Sequence, residues 1–185
     1  MDFYTEEYIG DLYKLLEPCK EVIGHEEYHP EGSVWIHSFQ VLQLALRETD
    51  DTDLILAALM HDVGKQCEKL GHDHEAMALL APYFSTKGLW LVKEHMRVWS
   101  MLKGEMKRPG KVRELLTHPW LPELIGLARW DSMGRVKNKE FEISVERLTF
   151  ELNKKVELHF KAKEPCSNPK YGSHICSPWT CGAKE

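Results

Sequence analysis

No stretch of this chain approaches the roughly 20 consecutive apolar residues that a bilayer-spanning helix needs, and almost nowhere do apolar and polar residues alternate as along a half-buried strand. The first absence argues against a membrane protein, the second against a sheet. Cysteine is sparse and odd in number: Cys19, Cys67, Cys166, Cys176 and Cys181 include no Cys-x-x-Cys pair and make a poor disulfide framework, so a reducing compartment is expected. The acidic segment Met1-Asp2-Phe3-Tyr4-Thr5-Glu6-Glu7 lacks the basic and apolar character of a secretory leader, and a cytoplasmic location is the expectation. Positive charge is short as well. With a formal net charge of -5 the chain repels a nucleic-acid backbone at long range, which disfavours broad duplex binding and favours a small phosphorylated substrate.

What is present points to helices. The 185 residues are 43% hydrophobic, enough for one sizeable core. Apolar residues recur at helical spacing through Ser33 to Arg47, Asp53 to Met60, His74 to Tyr83, Leu89 to Trp99, Val112 to Leu116 and Pro122 to Met133, and again from about Ile143 to Lys161. Start signals precede several of them: Asp51-Thr52-Asp53, Thr86, and Pro122. Breaks fall at His29-Pro30-Glu31-Gly32, Gly64 to Gly71 and Arg108-Pro109-Gly110. The expectation is an all-α compact helical bundle over residues 1–163. Residues 164–185, rich in Pro, Gly, Ser and Cys, form an irregular tail that is either disordered or a small metal-binding segment.

The sharpest chemical feature is His61-Asp62 at the end of the apolar run Leu54-Ile55-Leu56-Ala57-Ala58-Leu59-Met60, followed by Val63-Gly64-Lys65. An imidazole and a carboxylate side by side where a buried helix ends can give a metal one nitrogen and one oxygen from rigid backbone. Alone, the pair reads more readily as a packed histidine and a helix-end carboxylate. His37 lies one turn before Val41 and shares its core-facing side. Asp131 sits on an otherwise apolar helix, where a carboxylate is costly unless paired or coordinated; a salt bridge to Arg135 is the bland alternative. His72 and His95 could supply nitrogens to a second ion. With Asp62 shared, two ions roughly 4 Å apart could clamp a phosphoryl oxygen.

The order His37, His61-Asp62, His72, His95, Asp131 resembles the HD superfamily of metal-dependent phosphohydrolases. A closer likeness is to the HD domain of bacterial CCA-adding tRNA nucleotidyltransferases. His29-Pro30-Glu31-Gly32-Ser33-Val34-Trp35-Ile36-His37 is similar to their His-Pro-Glu-Gly-x-Val-x-x-His entry, and His61-Asp62-Val63-Gly64-Lys65, Gly71-His72-Asp73 and Leu91-Val92-Lys93-Glu94-His95 also correspond. Only two dozen residues precede His25, which leaves no room for a nucleotidyltransferase domain, so CCA addition is not expected. The resemblance implies His37, His61, Asp62 and Asp131 around a first divalent ion, and Asp62, His72 and His95 around a second. The metal, among Mn, Fe, Co, Ni, Mg and Zn, stays open. Asp62 is central to catalysis, and Lys65 is suited to neutralise a phosphate oxygen or to complement a helix C-terminus. The implied partner is a small phosphorylated, nucleotide-like substrate, with an RNA end carrying a 2',3'-cyclic phosphate as the alternative; a di-iron oxygenase and a non-catalytic helical module are further rivals. His74 competes with His72 for the second ion. In the tail, Cys166, His174, Cys176 and Cys181 could close a zinc site.

Overall fold

A computed structural model describes residues 3–27, 29–67 and 72–163, with backbone only for 72–73 and 160–163. Eight α-helices account for most of it: α1 Glu6–Leu16, α2 Val34–Glu48, α3 Thr52–Met60, α4 His72–Leu80, α5 Thr86–Leu102, α6 Pro109–Leu116, α7 Leu121–Met133 and α8 Val145–Lys163. Among the described residues the only β pairing is a lone bridge between Ile23 and Ser33. No helix of the described residues is long and apolar enough to cross a membrane. Cys19 and Cys67 are free thiols. Cys166, His174, Cys176 and Cys181, and with them the tail zinc site, lie outside the described residues.

Local chemistry starts the helices where expected. Ser33, Asp51 and Ser85 each sit in extended backbone and accept a hydrogen bond from an amide of the first turn of α2, α3 and α5, satisfying donors with no partner inside the helix. For α5 the cap is thus Ser85 rather than Thr86. Pro109 and Pro122 occupy the first turns of α6 and α7, where a missing N–H costs nothing.

Helix α1 was not among the segments expected from periodicity. Thr5 caps it, Glu6 and Glu7 favour its positive end, and Ile9, Leu12 and Leu16 are buried. Contacts remote in sequence hold this end of the chain: in α1 the Tyr13 hydroxyl donates to the Ile143 carbonyl, and just before it the amides of Phe3 and Tyr4 donate to the Asn153 carboxamide oxygen.

The centre of the bundle is α3, in which every residue from Leu54 to Met60 is buried, as required of a helix surrounded on all sides. It packs against α2, α5 and α7, whose buried faces supply Phe39, Leu42, Leu91, Val92, Leu124 and Leu127. The end of α3 therefore delivers His61 and Asp62 to the interior rather than to solvent.

Gly134, at the end of α7, is where two helices touch. A Cβ there would meet Val41 Cγ2 on α2 at 2.7 Å and the Trp130 carbonyl oxygen at 3.1 Å. Gly134→Ala should therefore push α7 away from α2 and destabilise the protein by about 1–3 kcal/mol, the usual cost of overpacking. Urea denaturation checks this; an unchanged midpoint would mean that the helices give way freely.

Candidate metal centre

Four elements bring five side chains to one point. His37 comes from α2, His61 from the end of α3, Asp62 from the residue after it, His95 from α5 and Asp131 from the last turn of α7. All are between 0 and 5% exposed. His37 Nε2 lies 3.0 Å from Asp131 Oδ1 and 3.9 Å from Asp62 Oδ2. His61 Nε2 lies 3.4 Å from Asp62 Oδ2 and 3.9 Å from Asp131 Oδ1. His95 Nε2 is 3.6 Å from Asp62 Oδ1. Asp62 thus stands between the His37/His61 side and the His95 side.

The rings are aimed from behind. His61 Nδ1 bonds to the Ala58 carbonyl at 3.0 Å and His95 Nδ1 to the Val92 carbonyl at 2.5 Å, each three residues back on its own helix. His37 Nδ1 bonds to the Gly134 carbonyl at 3.3 Å and lies 2.8 Å from Glu31 Oε1. A carbonyl can only accept, so Nδ1 carries the hydrogen in all three, and Nε2 is left to offer its lone pair to the centre.

Burial disfavours ionisation of Asp62, yet the adjacent His61, with His95 and Lys65, outweighs it and holds the carboxyl well below the usual range. Asp131 is likewise opposed by burial but held low by His37 and His61. Burial pushes the His37 imidazole down, while its bonds to Asp131 and Glu31 win and raise it to about 9; His95 is raised against burial by Asp62. The carboxylates of the nest thus favour positive charge on His37 and His95.

Those features fit a divalent ion. His61 Nε2 is buried and makes no hydrogen bond among the described residues, a rare condition for a core nitrogen and the natural one for a ligand. His37, His61 and Asp62 present one ligand atom each within 4.8 Å of one another. Mixed imidazole and carboxylate donors suit Mn, Fe, Co, Ni or Zn. A cation here would take the place of the proton that the carboxylates favour on His37, as metal ligands must be deprotonated.

The nest opens on a cavity of about 450 Å³ lined by His25, His29, Lys65, Met96, Trp99, Lys103 and Arg135, as well as by Asp62, His95 and Asp131. Lys65 Nζ donates to Asp62 Oδ2 at 2.6 Å and lies 3.3 Å from His29 Nε2, so it neutralises a carboxylate of the nest as well as facing the cavity. The Arg135 guanidinium donates to Asp131 Oδ1 at 2.9 Å; the salt bridge weighed as an alternative for Asp131 exists together with the histidine cluster. The expectation for His72 concerns a side chain outside the described residues. His74 is exposed and lines a different pocket.

Three contributors escaped the sequence reading. Trp99 donates its indole N–H to Asp131 Oδ2 at 3.0 Å. Glu31, its carboxylate fully buried, receives His29 Nδ1 at 2.9 Å and faces His37 Nδ1. Burial opposes its ionisation, but the bonds from His29 and His37 bring it down to about 2. His29, in the break before α2, links Glu31 to Lys65. The signal for Glu31 and His29 lay in the same entry motif that contains His37.

Glu31 should act through His37. Outer partners of this kind typically set metal affinity by about 10–100-fold, so Glu31→Gln is expected to loosen the ion by that factor while helicity is retained. Competition against a chelating dye measures it, and unchanged affinity would remove Glu31 from the account.

A family model described as the HD domain matches residues 34–135. The match begins at the first residue of α2 and ends at Arg135, and so takes in His37, the His61-Asp62 pair, His95 and Asp131.

Proposed function

Since the chain belongs to the HD domain family, we propose that it is a metal-dependent phosphohydrolase acting on a small, nucleotide-like phosphoester. The observation that carries the reading is the convergence of three imidazole Nε2 atoms and two carboxylates at the floor of a cavity whose walls are cationic.

His37, His61, Asp62 and Asp131 would hold one divalent ion; Asp62, His95 and His72 would hold a second. An ion so held supplies Lewis acidity, drawing charge from a phosphoryl oxygen and making water a competent nucleophile near neutral pH. The chain does the rest. Lys65 Nζ and the Arg135 guanidinium, which neutralise Asp62 and Asp131, flank the place where a phosphate would lie and are suited to take its oxygens. Lys103 adds a third cation at the rim. Trp99 fixes Asp131 through its N–H and offers an apolar wall.

The cavity volume is that of a small-molecule site, and the net charge of the chain opposes a long polyanion. The likeness of the entry motif to the HD half of CCA-adding enzymes supports phosphomonoesters and 2',3'-cyclic phosphates as the bonds cleaved. A mononucleotide or 2',3'-cyclic nucleotide is therefore expected to show higher kcat/KM than a phosphate at the end of a long RNA, with a shallow salt dependence. Phosphate release from a matched set of these substrates tests it. A preference for long RNA that falls steeply with salt would replace this reading with RNA-end processing.

A further inference from the structure

A second concavity, of about 560 Å³, lies on another side of α5, between α4 and the start of α6. Its walls hold Lys93 and Arg97 from α5, Lys107 and Arg108 from the connection, Lys111 from α6 and His74 from α4. Five permanent cations in one hollow of a chain with net charge -5 need a reason, since like charges repel unless something compensates them.

The carboxylates present do not remove the excess. Glu94 is buried and pairs with Arg97 Nη1, and Glu114 pairs with Lys111 at 3.0 Å on the rim. Glu105 also lines the hollow. Lys93, Lys107 and Arg108 form no ion pair among the described residues. With its Nη1 held by Glu94, the Arg97 guanidinium keeps Nη2 buried and without a hydrogen-bond acceptor among the described residues. A buried charged donor left without an acceptor is costly, so this guanidinium favours an anion close by. The helix α6 begins at this point with no side-chain cap on its first turn, so its positive end adds to the field.

We propose that this hollow is a second phosphate-binding pocket, separate from the metal centre, that takes a compact oligophosphate group. Compactness follows from the layout: the cations surround one concavity of small-molecule size instead of forming the extended stripe that tracks a nucleic-acid strand. Guanidinium groups suit bidentate contact with phosphate oxygens, and the lysines serve as point charges. The inference does not depend on hydrolysis at the metal centre.

Calorimetric titration of the full chain with tripolyphosphate, in chelator and at physiological ionic strength, tests it. One site is expected. Lys107→Glu and Arg108→Glu, both at exposed positions, should each weaken it by about tenfold without altering the turnover of a simple phosphoester, while Lys65→Ala should leave it intact. Loss of binding in Lys65→Ala but not in Lys107→Glu would locate the anion in the metal cavity and overturn the proposal. So would the absence of binding, or equal binding by the double variant. Single-stranded RNA binding more tightly than tripolyphosphate, and lost in the same variants, would overturn the compact ligand.

Discussion

Asp62→Ala is expected to lower kcat/KM by roughly 10³-fold or more, about 4 kcal/mol of transition-state stabilisation, while the far-UV spectrum stays helical. Asp62 is the residue to which both halves of the cluster turn: Oδ2 faces His37 and His61, and Oδ1 faces His95. Removing it takes away the shared carboxylate without emptying the core. His61 keeps its bond to the Ala58 carbonyl, and Lys65, about one quarter exposed, can turn to water. Asp62→Asn sharpens the comparison, because it preserves shape and removes only charge. Wild-type turnover by either variant in added manganese would sink the mechanism.

The second large effect is on stability. An ion that binds the folded nest and not the unfolded chain stabilises by about 2.7 kcal/mol at roughly 100 times its Kd. For a chain of this size that corresponds to a rise in Tm of about 5–10 °C. The rise should vanish in His61→Ala, which deletes a buried nitrogen that makes no hydrogen bond among the described residues. Thermal unfolding of chelated protein with and without manganese reads this directly. An equal shift in the variant would mean that the ion binds elsewhere.

Particular residues explain why parts of this molecule are legible from sequence. The helix starts at Ser33 and Asp51 are local events, a side-chain oxygen reaching an amide three residues on, and local patterns record local events. The His61-Asp62 pair is legible for a related reason: adjacency, at the end of a fully buried apolar run, carries both side chains into the interior together. Helix α1 is harder to see, since eleven residues with three buried positions are marginal alone and depend on α8 more than a hundred residues away. Trp99 shows the same limit. Nothing in the neighbourhood of Trp99 marks it as the donor to a carboxylate 32 residues later, and only the folded chain distinguishes Arg97, facing the second hollow, from Arg135, bound to Asp131. Arg129, two residues before Asp131, pairs with Glu48 on an exposed face.

We propose that the buried His-Asp cluster is an ion site that drives phosphoester hydrolysis. One titration tests it most directly: chelated wild-type protein is reloaded stepwise with manganese while bound ion and phosphate released from a mononucleotide and a 2',3'-cyclic nucleotide are measured together. Turnover should rise in proportion to occupancy and disappear when chelator is restored. An ion-saturated protein that releases no phosphate, or full turnover in chelator, would contradict it.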